Sequence, residues 1–235
     1  MRVDIGASII EYKINYSRRK TMSITVKPDG TLRVAAPKGT TAKTVQDWVD
    51  SKSKWIAAKL AELELANRQV LERSFQTGED FAYLGQPMRL ELVTDPQQTR
   101  TRIRGREGTI QITGPDCSPP AVRAALETWY RWAAGRYIRA RVLHYQTQVG
   151  CKPGRIAIRD QKTRWGSCSA RGNLNFNWRI MMAPPEIIDY LVVHELCHLV
   201  HLNHSPDFWE LVASIMPDYK AHKDWLRQNG SSLRA

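Results

Sequence analysis

Residues 187–200 read Ile187-Ile188-Asp189-Tyr190-Leu191-Val192-Val193-His194-Glu195-Leu196-Cys197-His198-Leu199-Val200. A helix through this stretch is apolar nearly all round, the pattern of a helix buried in a core. Two histidines and a glutamate inside such a helix cost free energy unless something satisfies them. His194 and His198 lie four apart, one helical turn, so both imidazoles leave the same face and can share an ion. Glu195 follows the first histidine, where its carboxylate can reach a water on that ion.

This H-E-x-x-H arrangement is a signature of zinc peptidases, with the glutamate as general base. With 6 His and 11 Glu in 235 residues, chance yields the three fixed positions in roughly one chain in a hundred. The alternative is a pair of satisfied core histidines beside a buried ion pair, which the apolar surroundings disfavour. A catalytic zinc needs a third protein ligand and an open position. His201, His204 and His222 are the downstream histidines. His201 shares the helical face, but seven residues along a helix rise roughly 10 Å, too far for it and His194 to hold one ion. At Asn203 a cap can end the helix, and Ser205-Pro206 starts another. The chain can therefore turn and bring His204 back. The spacing His194–His198–His204 equals that of H-E-x-x-H-x-x-G-x-x-H, although His201 stands where that pattern has glycine. His204 is favoured over His222 or an acidic ligand.

Outward from this segment, Arg155–Ile158, Thr163–Ser169 and Leu174–Met181 read as strands. The last alternates Leu174, Phe176, Trp178 and Ile180 with polar residues. A long helix is expected over Ala121–Gln148, and Thr113–Pro120, with two glycine or proline pairs, is the best boundary. Upstream, residues 9–16, Met22–Val26, Leu32–Ala36, Phe81–Val93 and Arg102–Thr113 read as strands, the last with Gly105 and Gly108 near a turn. Pro28-Asp29-Gly30 marks a turn, and Thr41–Leu71 forms one helical stripe through Val45, Val49 and Ile56. No internal repeat is visible.

Hydrophobic residues make up 42% and charged residues 25% of the chain, a globular composition that excludes general disorder. No apolar run approaches a membrane span. An acid stands at Asp4 where a signal peptide needs its apolar stretch. Cys117, Cys151, Cys168 and Cys197 form no C-x-x-C, which suits a reducing compartment, so a cytoplasmic location is expected. Cys168 and Cys197 read as small buried thiols. Thirty-five basic against 23 acidic residues leave +12, split as 19 and 14 up to residue 120 (+5) and 16 and 9 beyond it (+7). The long helix carries Arg123, Arg131, Arg136, Arg139 and Arg141 against Glu127 alone. That face is either solvated and paired or a contact for nucleic-acid phosphates.

Thr163-Arg164-Trp165-Gly166-Ser167-Cys168-Ser169, Asn175-Phe176-Asn177-Trp178-Arg179, His194-Glu195-Leu196-Cys197-His198 and Asn203-His204-Ser205-Pro206-Asp207-Phe208-Trp209 together resemble the YgjP-type zinc metallopeptidases. That family is related to the SprT-like and WLM metalloproteases. Arg18–Ile24 and Pro28-Asp29-Gly30 also resemble its start, so the likeness spans nearly the whole chain. It implies a zincin-like catalytic half (116–235); with the strands and the boundary read above, the expected fold is α+β, an N-terminal β-rich region with a long helix (1–115) preceding that half. The H-E-x-x-H helix there packs on a small antiparallel sheet. It implies zinc as cofactor, His194, His198 and His204 as ligands, and Glu195 as the catalytic residue. The expected partner is a peptide or protein. SprT-like relatives include proteases of DNA-bound proteins, so the basic surface could instead direct a protease to nucleic acid. In zincin-like proteases an edge strand aligns the substrate backbone, which makes Gly166 and Ser167 candidates for substrate binding. Trp165, Cys168 and Trp178 read as core. Arg164, Arg179, Tyr219 and His222 stay open as oxyanion helpers.

Overall fold

The computed structural model describes every residue except Ala7, Pro28, Glu72, Lys162, Arg234 and Ala235, and, besides these, every side chain except those at 8 and 65–71. The chain divides into two compact units, residues 1–72 and 73–235. The division therefore falls well before the glycine- and proline-rich stretch at 113–120. That stretch is a tight strand-to-helix turn inside the second unit, whose core joins Leu90, Ile110 and Ile112 before it to Val122, Leu126 and Leu191 after it.

In the first unit, β1 (Arg2–Ile5), β2 (Ser8–Ser17), β3 (Ser23–Val26) and β4 (Leu32–Pro37) form a sheet in the order β1-β2-β4-β3. The outer pairs are antiparallel and β2–β4 is parallel. Of the expected turn, Pro28 lies outside the described residues, while Asp29 accepts from the Thr31 amide at 2.9 Å. The helix expected over 41–71 is two helices, α1 (Ala42–Asp50) and α2 (Ser53–Leu71). Thr41 caps α1 by accepting from the Thr44 amide at 3.1 Å. Ser51 ends it, its hydroxyl donating to the Trp48 carbonyl at 2.7 Å, a local bond that competes with the helical ladder. Val3, Tyr12, Leu32, Val34, Val45, Val49 and Ile56 make the core.

In the second unit, β5 (Asp80–Tyr83), β6 (Gln86–Thr94), β7 (Arg102–Arg106) and β8 (Thr109–Gly114) repeat that arrangement, in the order β5-β6-β8-β7 with the same directions. The segment Phe81–Val93, expected as a strand, is a hairpin, and in Arg102–Thr113 the expected turn falls at Glu107-Gly108. Leu84 and Gly85 have φ of 51° and 74°, and Glu107 and Gly108 of 44° and 77°. Two consecutive positive φ angles make the type I′ turn that matches strand twist. Leu84 is a poor signal for such a turn, so the periodicity of Phe81–Val93 hides the first, whereas Gly108 marks the second.

The helix α3 (Pro119–Val149) follows and ends at Gly150, φ 75°. A second, three-stranded sheet holds β9 (Ile156–Arg159), β10 (Gly166–Cys168) and β11 (Leu174–Asn177) in the order β10-β11-β9. The β10–β11 pair is antiparallel as expected, and β9 joins β11 in parallel. The strand expected to reach Met181 stops at Asn177. Its buried carboxamide accepts from the Arg179 amide at 3.1 Å and donates to the Gln161 carbonyl at 2.7 Å, opening a 3-10 turn over Trp178–Met182. Then come α4 (Pro185–Cys197), α5 (Pro206–Ile215) and α6 (Tyr219–Asn229). Arg141 of α3 grips Asp189 of α4 through two bonds of 2.6 and 2.7 Å, with the Tyr145 hydroxyl donating to the same carboxylate at 3.1 Å. Among the described residues no helix is long and apolar enough to cross a membrane.

Candidate metal centre

Pro184 and Pro185 start α4, where a missing amide proton costs nothing. Behind them Ile187, Ile188, Leu191, Val192, Val193, Leu196 and Cys197 are all buried. The helix was expected to run to Leu202, but it ends at Cys197, and the amides of Val200 and His201 both turn back to the Cys197 carbonyl at 3.1 and 3.0 Å. His198 is thus the capping residue. Its Nδ1 lies 3.0 Å from the His201 carbonyl; a carbonyl can only accept, so Nδ1 carries the proton and Nε2 keeps a free lone pair. His201 contributes its backbone and not its ring.

The reversal continues through Asn203, whose Oδ1 accepts from the Ser205 amide at 3.2 Å, and Ser205 caps α5 by accepting from the Phe208 amide at 3.4 Å. These turns return His204 to α4. Its Nε2 stands 3.1 Å from the His194 Nε2, and one nitrogen from each of His194, His198 and His204 lies within 4.8 Å of the others. Tetrahedral zinc with Zn–N bonds of about 2 Å sets neighbouring nitrogens about 3.3 Å apart. The donor set fits that ion. His222 is not in this cluster; its ring centroid lies 6.5 Å from that of Tyr190.

Aromatic rings hold the imidazoles in place. Phe208 stacks on His198 at 4.5 Å and meets His194 and His204 edge-on. Trp209 stacks on His204 at 5.5 Å and, on to Tyr219, at 5.2 Å. Burial first, then the neighbouring His198 and His204, push the His194 imidazole down to about 3. Burial also lowers His204. Both are therefore neutral at pH 7, the form that binds metal.

Glu195 is only 4% exposed. Burial pushes its carboxyl up to about 8, opposed by the charge of Arg164, and its Oε2 has no hydrogen-bond partner. The side chain lies flat against β10 at Gly166. A Cβ there would stand 2.5 Å from Oε1 and 2.7 Å from Cγ, so no other residue fits without moving the carboxylate. Spacing along the sequence carries no signal of this contact. Ser167 accepts from the Asn175 carboxamide at 3.3 Å, and β10 is an edge strand of its sheet.

Of the open helpers, Arg179 is committed to Asp160 and stacks over Trp178 at 4.2 Å. Tyr219 lies against Trp209. Arg164 is exposed and acts on Glu195. Tyr190 escaped the sequence reading. It is buried one turn before His194 with its ring 5.9 Å away, and the i−4 spacing was the available clue. Cys197 is fully buried, its thiol pushed up to about 12; Trp178 is core, while Trp165 and Cys168 are half-buried.

The arginines of α3 mostly have partners within the unit. Arg141 binds Asp189, Arg131 binds Glu127 at 2.7 Å, and Arg136 lies over Trp132 at 5.1 Å.

A comparison with curated proteins finds no significant match. Among solved structures, the metallopeptidase zymogen abylysin of Pyrococcus abyssi is 24% identical, covering 41% of this chain and 96% of its own, with a TM-score of 0.37. The metallopeptidase zymogen jannalysin of Methanocaldococcus jannaschii is 19% identical, covering 39% and 94%, with a TM-score of 0.35. The YgjP-like metallopeptidase domain matches residues 20–229, and the chain belongs to that family.

Proposed function

We propose that His194, His198 and His204 hold one zinc ion and that Glu195 is the general base of peptide-bond hydrolysis. The observation that carries this reading is the 3.1 Å approach of the His194 and His204 nitrogens beside a buried, unpartnered carboxylate. Bound there, zinc would supply a Lewis acid for water and the scissile carbonyl, with a charge opposing the burial that raises Glu195. Glu195 takes the proton of the attacking water and returns it to the leaving amine. Gly166 lets that carboxylate stay against β10. The same strand, through Gly166 and Ser167, presents a free edge on which an extended substrate can align its backbone. Arg164 is the exposed cation next to Glu195 and the best placed to meet developing negative charge.

Metal analysis of the purified protein tests the ligand set. About one zinc per chain is expected, with His204→Ala losing it as His194→Ala does and His222→Ala keeping it. Retention in His204→Ala together with loss in His222→Ala would refute the assignment.

A further inference from the structure

The small sheet has two edges. One, β10, belongs to the site; the other, β9, lies two strand spacings away, about 10 Å across the sheet. The Leu174 amide donates to the Arg155 carbonyl at 2.9 Å, and Leu174 pairs with Ile156. In a parallel ladder the residue opposite such a donor turns its own amide and carbonyl outward. Ile156 and Ile158 therefore point their backbone groups away from β11. Of these, the Ile156 carbonyl accepts from Arg139 at 3.2 Å. Ile156 and Ile158 themselves line a groove of about 430 Å³ together with Arg139, Arg155 and Arg159.

That groove is cationic without compensation from its own lining. The nearest acid in sequence, Asp160, is taken by Arg179 and Arg131. Arg155 and Arg159 are exposed. An unpaired edge with two or three guanidinium groups beside it repels a second basic strand and favours an acidic one.

We propose that the β9 edge is a second binding site, which takes an extended acidic polypeptide segment as an added strand. The segment's backbone pairs with Ile156 and Ile158, and its carboxylates meet Arg155, Arg159 and Arg139. It rests on the peptidase reading only in that the segment belongs to a protein substrate, held at a distance from the scissile bond.

The test is fluorescence anisotropy of the full zinc-loaded chain with a labelled eight-residue peptide alternating Glu and Val. The same measurement is made with a Lys/Val peptide, with the Glu/Val peptide N-methylated at alternate residues, and with oligo(dT) of equal charge. Saturable binding of the Glu/Val peptide is expected, weakened roughly tenfold or more by N-methylation and by the double change Arg155→Glu and Arg159→Glu. Zinc content and melting temperature report that the variant is folded. Absence of binding, indifference to N-methylation, or equal affinity for oligo(dT) would each overturn the proposal, the last in favour of a nucleic-acid surface. Because binding is read without turnover, a chain that binds the acidic strand and hydrolyses nothing keeps this site and loses the peptidase reading.

Discussion

In the first unit the sheet β1-β2-β4-β3 closes on α1 and α2 around a small core from Val3 to Ile56. In the second, the sheet β5-β6-β8-β7 shares one core with α3, α4 and the three-stranded sheet. The two four-stranded sheets agree in strand order and in direction. In both, four residues separate the last strand from a helix, 38–41 and 115–118. The difference lies in the helix. The first sheet is followed by two helices that meet at Ser51-Lys52, the second by one continuous helix of 31 residues. Only the longer helix reaches past its sheet to grip α4 through Arg141 and Asp189. One topology thus serves once as a self-contained module and once as the scaffold of a metal centre. The sequence hid the repeat because alternation and turns specify such a sheet, and many residue choices satisfy both.

Glu195→Gln gives the sharpest contrast, since it should remove chemistry and leave both folds. Hydrolysis is expected to fall at least ~100-fold with zinc content unchanged; equal turnover would break the assignment of the chemistry to this residue. Gly166→Ala comes next. Its Cβ would displace the carboxylate, and a ~10- to 100-fold loss of activity is expected from a misplaced base, again with zinc retained. Unaltered kinetics would show that the close contact with β10 has no catalytic consequence.

The comparison itself is tested by matched core truncations. Ile110→Ala on β8 and Leu32→Ala on β4 should each cost about 2–4 kcal/mol. If the second sheet alone supports the site, only Ile110→Ala lowers the melting transition that zinc raises; a like effect of Leu32→Ala would mean that the two units unfold as one.

A pH series separates the units further. Glu195 is raised from its usual value near 4.5 to about 8, so its contribution in zinc-free protein is present below 4.5 and lost as pH rises through 8. His194 is depressed from 6.5 to about 3, so its contribution is present above 6.5 and lost as pH falls towards 3. Between pH 4.5 and 8, zinc-free Glu195→Gln should gain on the parent by an order of a few kcal/mol, in the second unit's transition only. Parallel stability curves for parent and variant would contradict the buried, partnerless carboxyl.

The smallest effect concerns charge. Arg131→Gln removes a half-exposed pair with Glu127 and should change stability by less than about 1 kcal/mol. With most of its arginines engaged, α3 should show little salt-sensitive DNA or RNA binding at ~50 mM salt. Tight binding that falls steeply with salt would instead support a nucleic-acid role for this face.

The sequence alone determined what depends on neighbours within a turn or two. His194 and His198 share a face because a helix repeats every 3.6 residues, and Ser205-Pro206 starts α5 because one supplies an acceptor and the other lacks a donor. The proposed third ligand, His204, was legible only as a choice against His222 or an acidic ligand, since a spacing permits a reversal without enforcing one. The tertiary structure decided what distant segments do to each other. Ending α4 at Cys197 brought His204 within 3.1 Å of His194. Strand β10, some thirty residues earlier, placed Gly166 against Glu195, and the shared core moved the boundary from 115 to 72. Local periodicity and capping act through the backbone nearby, whereas a ligand's arrival, a glycine's partner and a domain's edge are properties of packing.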